Sequence, residues 1–180
     1  MRSNPVTGSG VELRPVADAD REFLYRLYAS TRAEEMAQSG WAEAEVESFL
    51  RFQFDAQDAF YRQQFGGASF DLVLEEGIPV GRLYVDRRDD EIRLIDVALL
   101  PAARGRGIGS ALLRELLAEA GRAGTPVRIH VEAFNPAMRL YERLGFRKVD
   151  ENGVHHLMER LPDAPAAEAP AADGQDDDAR

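Results

Sequence analysis

Residues Asp96 to Ala118 read DVALLPAARGRGIGSALLRELLA. Just upstream, Ile92 begins a largely apolar run that reaches Leu100, a good length for a buried strand. Pro101 stops it, because proline has no N–H to give to a sheet ladder. Beyond the loop, Ile108, Leu112, Leu116 and Ala120 recur at four-residue spacing, and Leu113 and Leu117 widen the stripe into a helix face. Between them lies Arg104-Gly105-Arg106-Gly107-Ile108-Gly109. The order is strand, glycine-rich turn, helix. Three glycines at alternate positions remove side chains that would hold a ligand off the backbone. The first helical turn adds unpaired N–H groups and a partial positive charge. Together these features make a cradle for a pyrophosphate.

The rest of the chain sets bounds. Its 180 residues suffice for one domain with a proper core, and 44% hydrophobic against 30% charged residues fits a soluble globular protein. There is no cysteine, which excludes disulfides, thiolate metal sites and a cysteine nucleophile. No apolar run approaches the roughly 18 residues of a membrane span. The opening MRSNPVTGSG lacks the apolar core of a secretory signal. A cytoplasmic protein is expected. The net charge of −10 argues against a nucleic-acid coat. Half of that surplus lies from Pro162 onward, where six acids face one base, so the body is only mildly acidic.

Taken in order, residues 1–10 are expected to be flexible and residues 162–180 a disordered acidic tail, leaving a single domain over 11–161. Val11 to Pro15 reads as a strand. A helix capped by Asp18 buries Phe23, Leu24, Leu27 and Tyr28. A polar connection over 30–40 leads through Trp41 to a second helix, about Ala44 to Phe65, with Val46, Phe49, Leu50, Phe60 and Tyr61 inward. Two strands follow, Phe70 to Leu74 and Val80 to Val85. After the central strand and helix come a strand through Val127, Ile129 and Val131, a short helix over Pro136 to Leu144, and a closing strand pair. This is a mixed α/β pattern: a mostly antiparallel central sheet of about seven strands with helices on both faces.

The glycine turn is neither a G-x-G-x-x-G dinucleotide fingerprint nor a P-loop. Its spacing, R-x-x-G-x-G from Arg104 to Gly109, resembles the acyl-CoA loop of the GNAT N-acetyltransferase superfamily. A second segment, HVEAFNPAMRLYERLGF from His130 to Phe146, resembles the strand, asparagine and Leu-Tyr-Glu helix of the same superfamily, in the same order. The resemblance covers about residues 11–160 and implies an acyl-CoA-dependent N-acyltransferase. Its cosubstrate would be acetyl-CoA, with no metal, and its acceptor a small-molecule or peptide amine. Neither nucleic acid nor a membrane is implied as a partner, and a homodimer stays open. It also implies roles. Val97, Ala98 and Leu99 would offer backbone groups to pantetheine, from a strand splayed away from its neighbour. The N–H groups of Gly105, Arg106, Gly107, Ile108, Gly109 and Ser110 would hold the pyrophosphate. Asn135 would bond the pantetheine arm, and Tyr141 would protonate the leaving thiolate.

The general base is open. His130 stands five residues before Asn135, where some members carry a glutamate, and its ordinary pKa of about 6.5 suits proton abstraction near neutrality. Glu132 shares its strand face and could orient it or act itself. Glu91 and Asp96 are weaker alternatives, and Asp96 could equally be structural. Arg104 and Arg106 could touch phosphates or be ordinary surface arginines. Glu34, Glu35 and Trp41 fall in the inter-helix connection that lines the acceptor pocket in the family. His155 and His156 face opposite ways on a strand and cannot form one metal site together. The rival reading is a catalytically silent acetyl-CoA-binding module that docks a partner through its acidic tail.

Overall fold

The computed structural model describes residues 4–6 and 10–163. Eight strands form one sheet in the order β1-β2-β3-β4-β5-β6-β8-β7. They are β1 (Asn4–Val6), β2 (Val11–Pro15), β3 (Ser69–Glu75), β4 (Ile78–Arg87), β5 (Ile92–Leu99), β6 (Val127–Glu132), β7 (Arg147–Asn152) and β8 (His155–Arg160). Only β5 and β6 pair in parallel, joined by the crossover through α3 (Ile108–Ala123). β1 adds an eighth strand to the about seven expected. Asn4–Val6 lies in the segment expected to be flexible, yet it pairs with β2 and buries Val6. Of the expected acidic tail, residues 164–180 lie outside the described residues.

Both faces of the sheet are covered, and β3 shows how. Leu72 and Leu74 point to one face, against Leu24, Tyr25 and Tyr28 of α1 (Arg21–Ala37) and Leu50 and Phe54 of α2 (Glu43–Gln64). Val73 points to the other, into the core built on α3. The α3 stripe is as its sequence reads: Ile108, Leu112, Leu113, Leu116 and Ala120 are all buried. On the second helix Val46, Phe49 and Leu50 pack inward as expected and the line continues through Phe54, Gln57 and Tyr61, while Phe60 stands outside, 54% exposed. The first helix is longer than expected and runs to Ala37, so Glu34 and Glu35 sit on α1 and not in the connection. Among the described residues no helix is long and apolar enough to cross a membrane.

One charged group lies inside this frame. Glu91, just before β5, is 2% exposed and accepts hydrogen bonds from Arg88 (2.9 Å), Arg93 (3.0 and 3.1 Å) and Arg128 (3.1 Å). Arg128 also bonds Glu159 of β8. The cluster therefore ties β5, β6 and β8 together at the closed end of the parallel ladder. Burial alone would raise the Glu91 pKa, but the three guanidinium groups outweigh it and hold the pKa below its ordinary 4.5. A depressed carboxylate stabilises the fold above its unfolded pKa and ceases to do so as pH falls through the folded value. Glu91→Gln strands buried positive charge, so it should cost roughly 3 kcal/mol near neutrality. That deficit should narrow below pH 4.5, where the wild type loses the same interaction. Urea titrations of both proteins across pH 3 to 7 check this, and equal stability at neutral pH would contradict it.

Candidate active site

The site begins where two strands part. The parallel pairing of β5 with β6 covers only Ile92↔Val127, Arg93↔Arg128 and Leu94↔Ile129. At that point β5 carries an extra residue, because its register against β4 shifts from Leu94↔Val85 to Asp96↔Tyr84 and leaves Ile95 unpaired. A bulge bends and twists its strand, and here it turns β5 away from β6, which continues alongside β8 to Glu132. A notch opens between them.

Backbone alternation decides what faces the notch. The Leu100 N–H donates to the Val80 carbonyl (2.8 Å), so Leu100 and Val80 form a hydrogen-bonded pair. In an antiparallel ladder such pairs alternate with non-bonded ones. Ala98, opposite Arg82, is therefore bonded to β4, while Val97 and Leu99 turn their N–H and C=O groups to the notch. Ala98, by contrast, spends its peptide groups on the sheet. The Leu99 carbonyl already accepts a bond from Arg104 Nε (2.8 Å). Across the ladder, Gly81 permits the approach of β5, since a Cβ there would stand 2.4 Å from the Ala98 carbonyl oxygen.

Next comes the glycine turn. The Arg104 N–H bonds the Pro101 carbonyl, and the next N–H with a backbone acceptor among the described residues is that of Ala111, to Gly107. The N–H groups of residues 105–110 lie between, on a turn and a helix start. Gly105 and Gly107 have φ of 69° and 85°, and nothing lies within 4 Å of where their Cβ atoms would stand. The left-handed backbone explains the glycines and the open space exposes the donors. The Arg106 guanidinium is engaged by Glu75 (2.8 Å to both carboxylate oxygens), which leaves its N–H among the turn's unpaired donors.

The far wall is α4 (Met138–Arg143). Asn135 Oδ1 accepts from the Ala137 N–H (2.8 Å), fixing the turn into the helix and leaving the amide nitrogen as a donor. Tyr141 is 2% exposed and packs edge-on against Phe146. Burial and the nearby charge of Asp96 push its pKa well up, so the hydroxyl keeps its proton. Among the described residues that hydroxyl has no hydrogen-bond partner. A Cβ on Gly109 would meet Leu140 at 3.7 Å and Leu99 at 3.9 Å, so β5, α3 and α4 converge there.

The polar residues of β6 are sorted by their partners. His130 is exposed, and its Nδ1 lies 2.8 Å from Arg93 Nη1. A guanidinium can only donate, so Nδ1 must accept. Burial, Arg93 and His155 lower the pKa of the ring, which keeps it neutral with its proton on Nε2. In this arrangement the Nδ1 lone pair is engaged by Arg93. Glu132 is exposed, 3.9 Å from Arg32 of α1. Glu91, locked by three arginines, is no base. Trp41 lies half-exposed against Phe49, and Glu35 pairs with Arg32 on the outer part of α1.

A family model described as the Acetyltransferase (GNAT) family matches residues 24–146. The chain belongs to the GNAT acetyltransferase family. Its relatives include a mycothiol acetyltransferase of Mycobacteroides abscessus, 40% identical over 79 residues, which are 44% of this chain and 25% of that protein. The [ribosomal protein bS18]-alanine N-acetyltransferase of Haemophilus influenzae is 37% identical over 62 residues, covering 34% and 42%. The chain thus spans less than half the length of these relatives. PaiA N-acetyltransferase of Thermoplasma acidophilum, solved with coenzyme A, shares the GNAT fold with a TM-score of 0.64 at 20% identity, over 84% of this chain and 98% of that one.

Two features of this GNAT chain were not read from the sequence: the bulge at Ile95, and a buried ion pair of Arg82 on β4 with Asp96 on β5 (2.5 Å). A signal for the pair exists. One arginine and one aspartate interrupt two otherwise apolar strand segments that must be neighbours. Gly109→Val puts branched bulk between Leu99 and Leu140, where the notch meets the turn. It should weaken acetyl-CoA binding about tenfold or more, roughly 1.4 kcal/mol. Calorimetric titration of the folded variant checks this, and unchanged affinity would contradict the placement.

Proposed function

We propose that this protein transfers an acetyl group from acetyl-CoA directly to a primary amine. The observation that carries the reading is the junction of the β5–β6 notch with the turn 105–110, which sets free backbone groups along a line suited to a pantetheine arm and its pyrophosphate. The N–H groups of Gly105 to Ser110 hold the pyrophosphate. The N–H and C=O groups of Val97 and Leu99 hold the pantetheine amides, and the Asn135 amide donates to the arm from the other wall. The thioester then lies near Tyr141.

The reaction needs little else from the protein. The amine nitrogen attacks the thioester carbon, and the oxyanion that forms is stabilised by an N–H aimed from β5 into the notch. As the intermediate collapses, the C–S bond breaks and the thiolate takes the Tyr141 proton. No covalent enzyme intermediate is required, consistent with the absence of cysteine from the chain. The acceptor is a small-molecule or peptide amine. The relatives named for mycothiol and for a ribosomal-protein alanine support both classes.

Tyr141→Phe removes the hydroxyl and keeps the ring that packs on Phe146. Acetyl-CoA affinity should hold while kcat falls on the order of 10²-fold or more. Release of free CoA in the presence of an amine panel, measured beside cofactor titration, checks this. Wild-type turnover of the variant, where chemistry limits the rate, would rule out the acid role.

A further inference from the structure

The acceptor side of the notch holds one carboxylate that the fold has fixed in place without locking it away. Asp96 directly follows the bulge at Ile95, where β5 departs from β6, and it precedes Val97. It lies opposite Tyr84, on the sheet face covered by α1 and α2 and away from α3. Arg82 Nη2 donates to Asp96 Oδ2 (2.5 Å) and to Gln57 Oε1 of α2 (2.9 Å). The pair is graded in depth: the Arg82 side chain is 5% exposed and that of Asp96 is 17%. The buried Arg82 Nε has no partner among the described residues, so the guanidinium is committed to Asp96 and Gln57. Tyr61 of α2 packs edge-on to Tyr84, and burial together with the nearby charge of Asp96 raises the pKa of its hydroxyl. Tyr141, on the opposite wall, also feels the charge of Asp96. Asp96 therefore stands at the point where β5 departs from β6, held from the sheet side by Arg82.

The other candidates have been spent. Glu91 is held by three arginines, and His130 has its one free lone pair taken by Arg93. Glu132 stands at the outer end of β6 beside Arg32.

We propose that Asp96 receives the ammonium group of the acceptor and takes its proton, with Arg82 and Gln57 as positioning residues. This inference rests on the acetyl-transfer reading. The ammonium gives one proton to a carboxylate oxygen of Asp96, which later releases it to solvent. The freed lone pair forms the C–N bond to the thioester carbon, and the carbonyl π pair moves to oxygen. When the oxyanion re-forms the carbonyl, the C–S bond breaks and the sulfur takes the Tyr141 proton. A second proton from the attacking nitrogen restores the tyrosine. The products are an amide, free CoA and one proton in solution.

The substrate class follows. A residue that must first remove a proton matters most for amines that are almost wholly charged at neutral pH, such as a lysine side chain with pKa about 10.4, and less for an α-amine with pKa about 7.7 to 8.0, part of which is already neutral. The test uses Nα-acetyl-lysine methylamide and an alanine-initiated peptide amide as acceptors, at pH 7 and upward. Asp96→Asn should lower kcat/KM for the lysine amine on the order of 10²-fold or more, and that for the α-amine much less. The lysine deficit should shrink as pH rises, while acetyl-CoA affinity holds. Because Asp96→Asn leaves Arg82 buried without its counter-charge, Arg82→Met/Asp96→Asn is measured alongside it. The double variant should fold, bind acetyl-CoA and remain slow on the lysine amine, whereas a purely structural pair would let it regain turnover. Regained turnover, or equal losses on both amines at every pH, overturns the inference alone. A wild-type protein that binds acetyl-CoA and acetylates neither probe overturns it together with the acetyl-transfer reading.

Discussion

The departure of β5 from β6 after three residue pairs is the constraint on which the site depends. A continuous parallel ladder would have paired the Val97 and Leu99 peptide groups and closed the space between the strands. Leaving a strand edge unpaired inside a sheet is costly unless something else satisfies it. Here the cost is confined to one short stretch, because β5 remains bonded to β4 on its other side through Leu100. A ligand with alternating amide groups is suited to that edge. The bulge at Ile95 therefore relates fold to chemistry: it bends the strand, frees the edge, and sets Asp96 at the point of divergence.

The two ends of the β5–β6 pair are built in opposite ways. At the closed end Glu91 and its three arginines bind β5, β6 and β8 in a buried charge cluster. At the open end one ion pair, Arg82 with Asp96, stands at the divergence, and beyond it Leu99 and Leu140 converge on Gly109. Charge clusters of this kind are often no more stabilising than an apolar core, but they tolerate few alternative geometries. A rigid closed end keeps the open end at a fixed width. The same economy appears in the turn, where Glu75 engages the Arg106 guanidinium and leaves backbone donors to face the ligand.

Much of this was legible in the sequence, for reasons that can be named. The α3 stripe, the alternation of Val127, Ile129 and Val131, and the glycine turn are local patterns, fixed by helical and strand periodicity, and the structure shows each of them. The eighth strand was missed because Asn4–Val6 is short and polar at its start, and only its pairing with β2 makes it a strand. Phe60 and Phe54 were exchanged because a long helix rich in aromatics offers more than one apolar line, and the sheet beneath selects between them. The engagement of His130 by Arg93 was beyond sequence reading altogether. It depends on Arg93 reaching it across a parallel register that three residue pairs define. The Arg82–Asp96 pair likewise exists only once β4 and β5 are side by side.

The most direct measurement is a backbone amide map of the ¹⁵N-labelled protein titrated with acetyl-CoA. Acetyl-CoA held as proposed would run along Val97 and Leu99 and across the turn 105–110. The amide resonances of those residues should therefore move together at one saturating stoichiometry, with that of Ala98, bonded to β4, moving less. An undisturbed turn, or shifts gathered elsewhere on the sheet, would contradict the claim that this notch is where the protein holds its acyl donor.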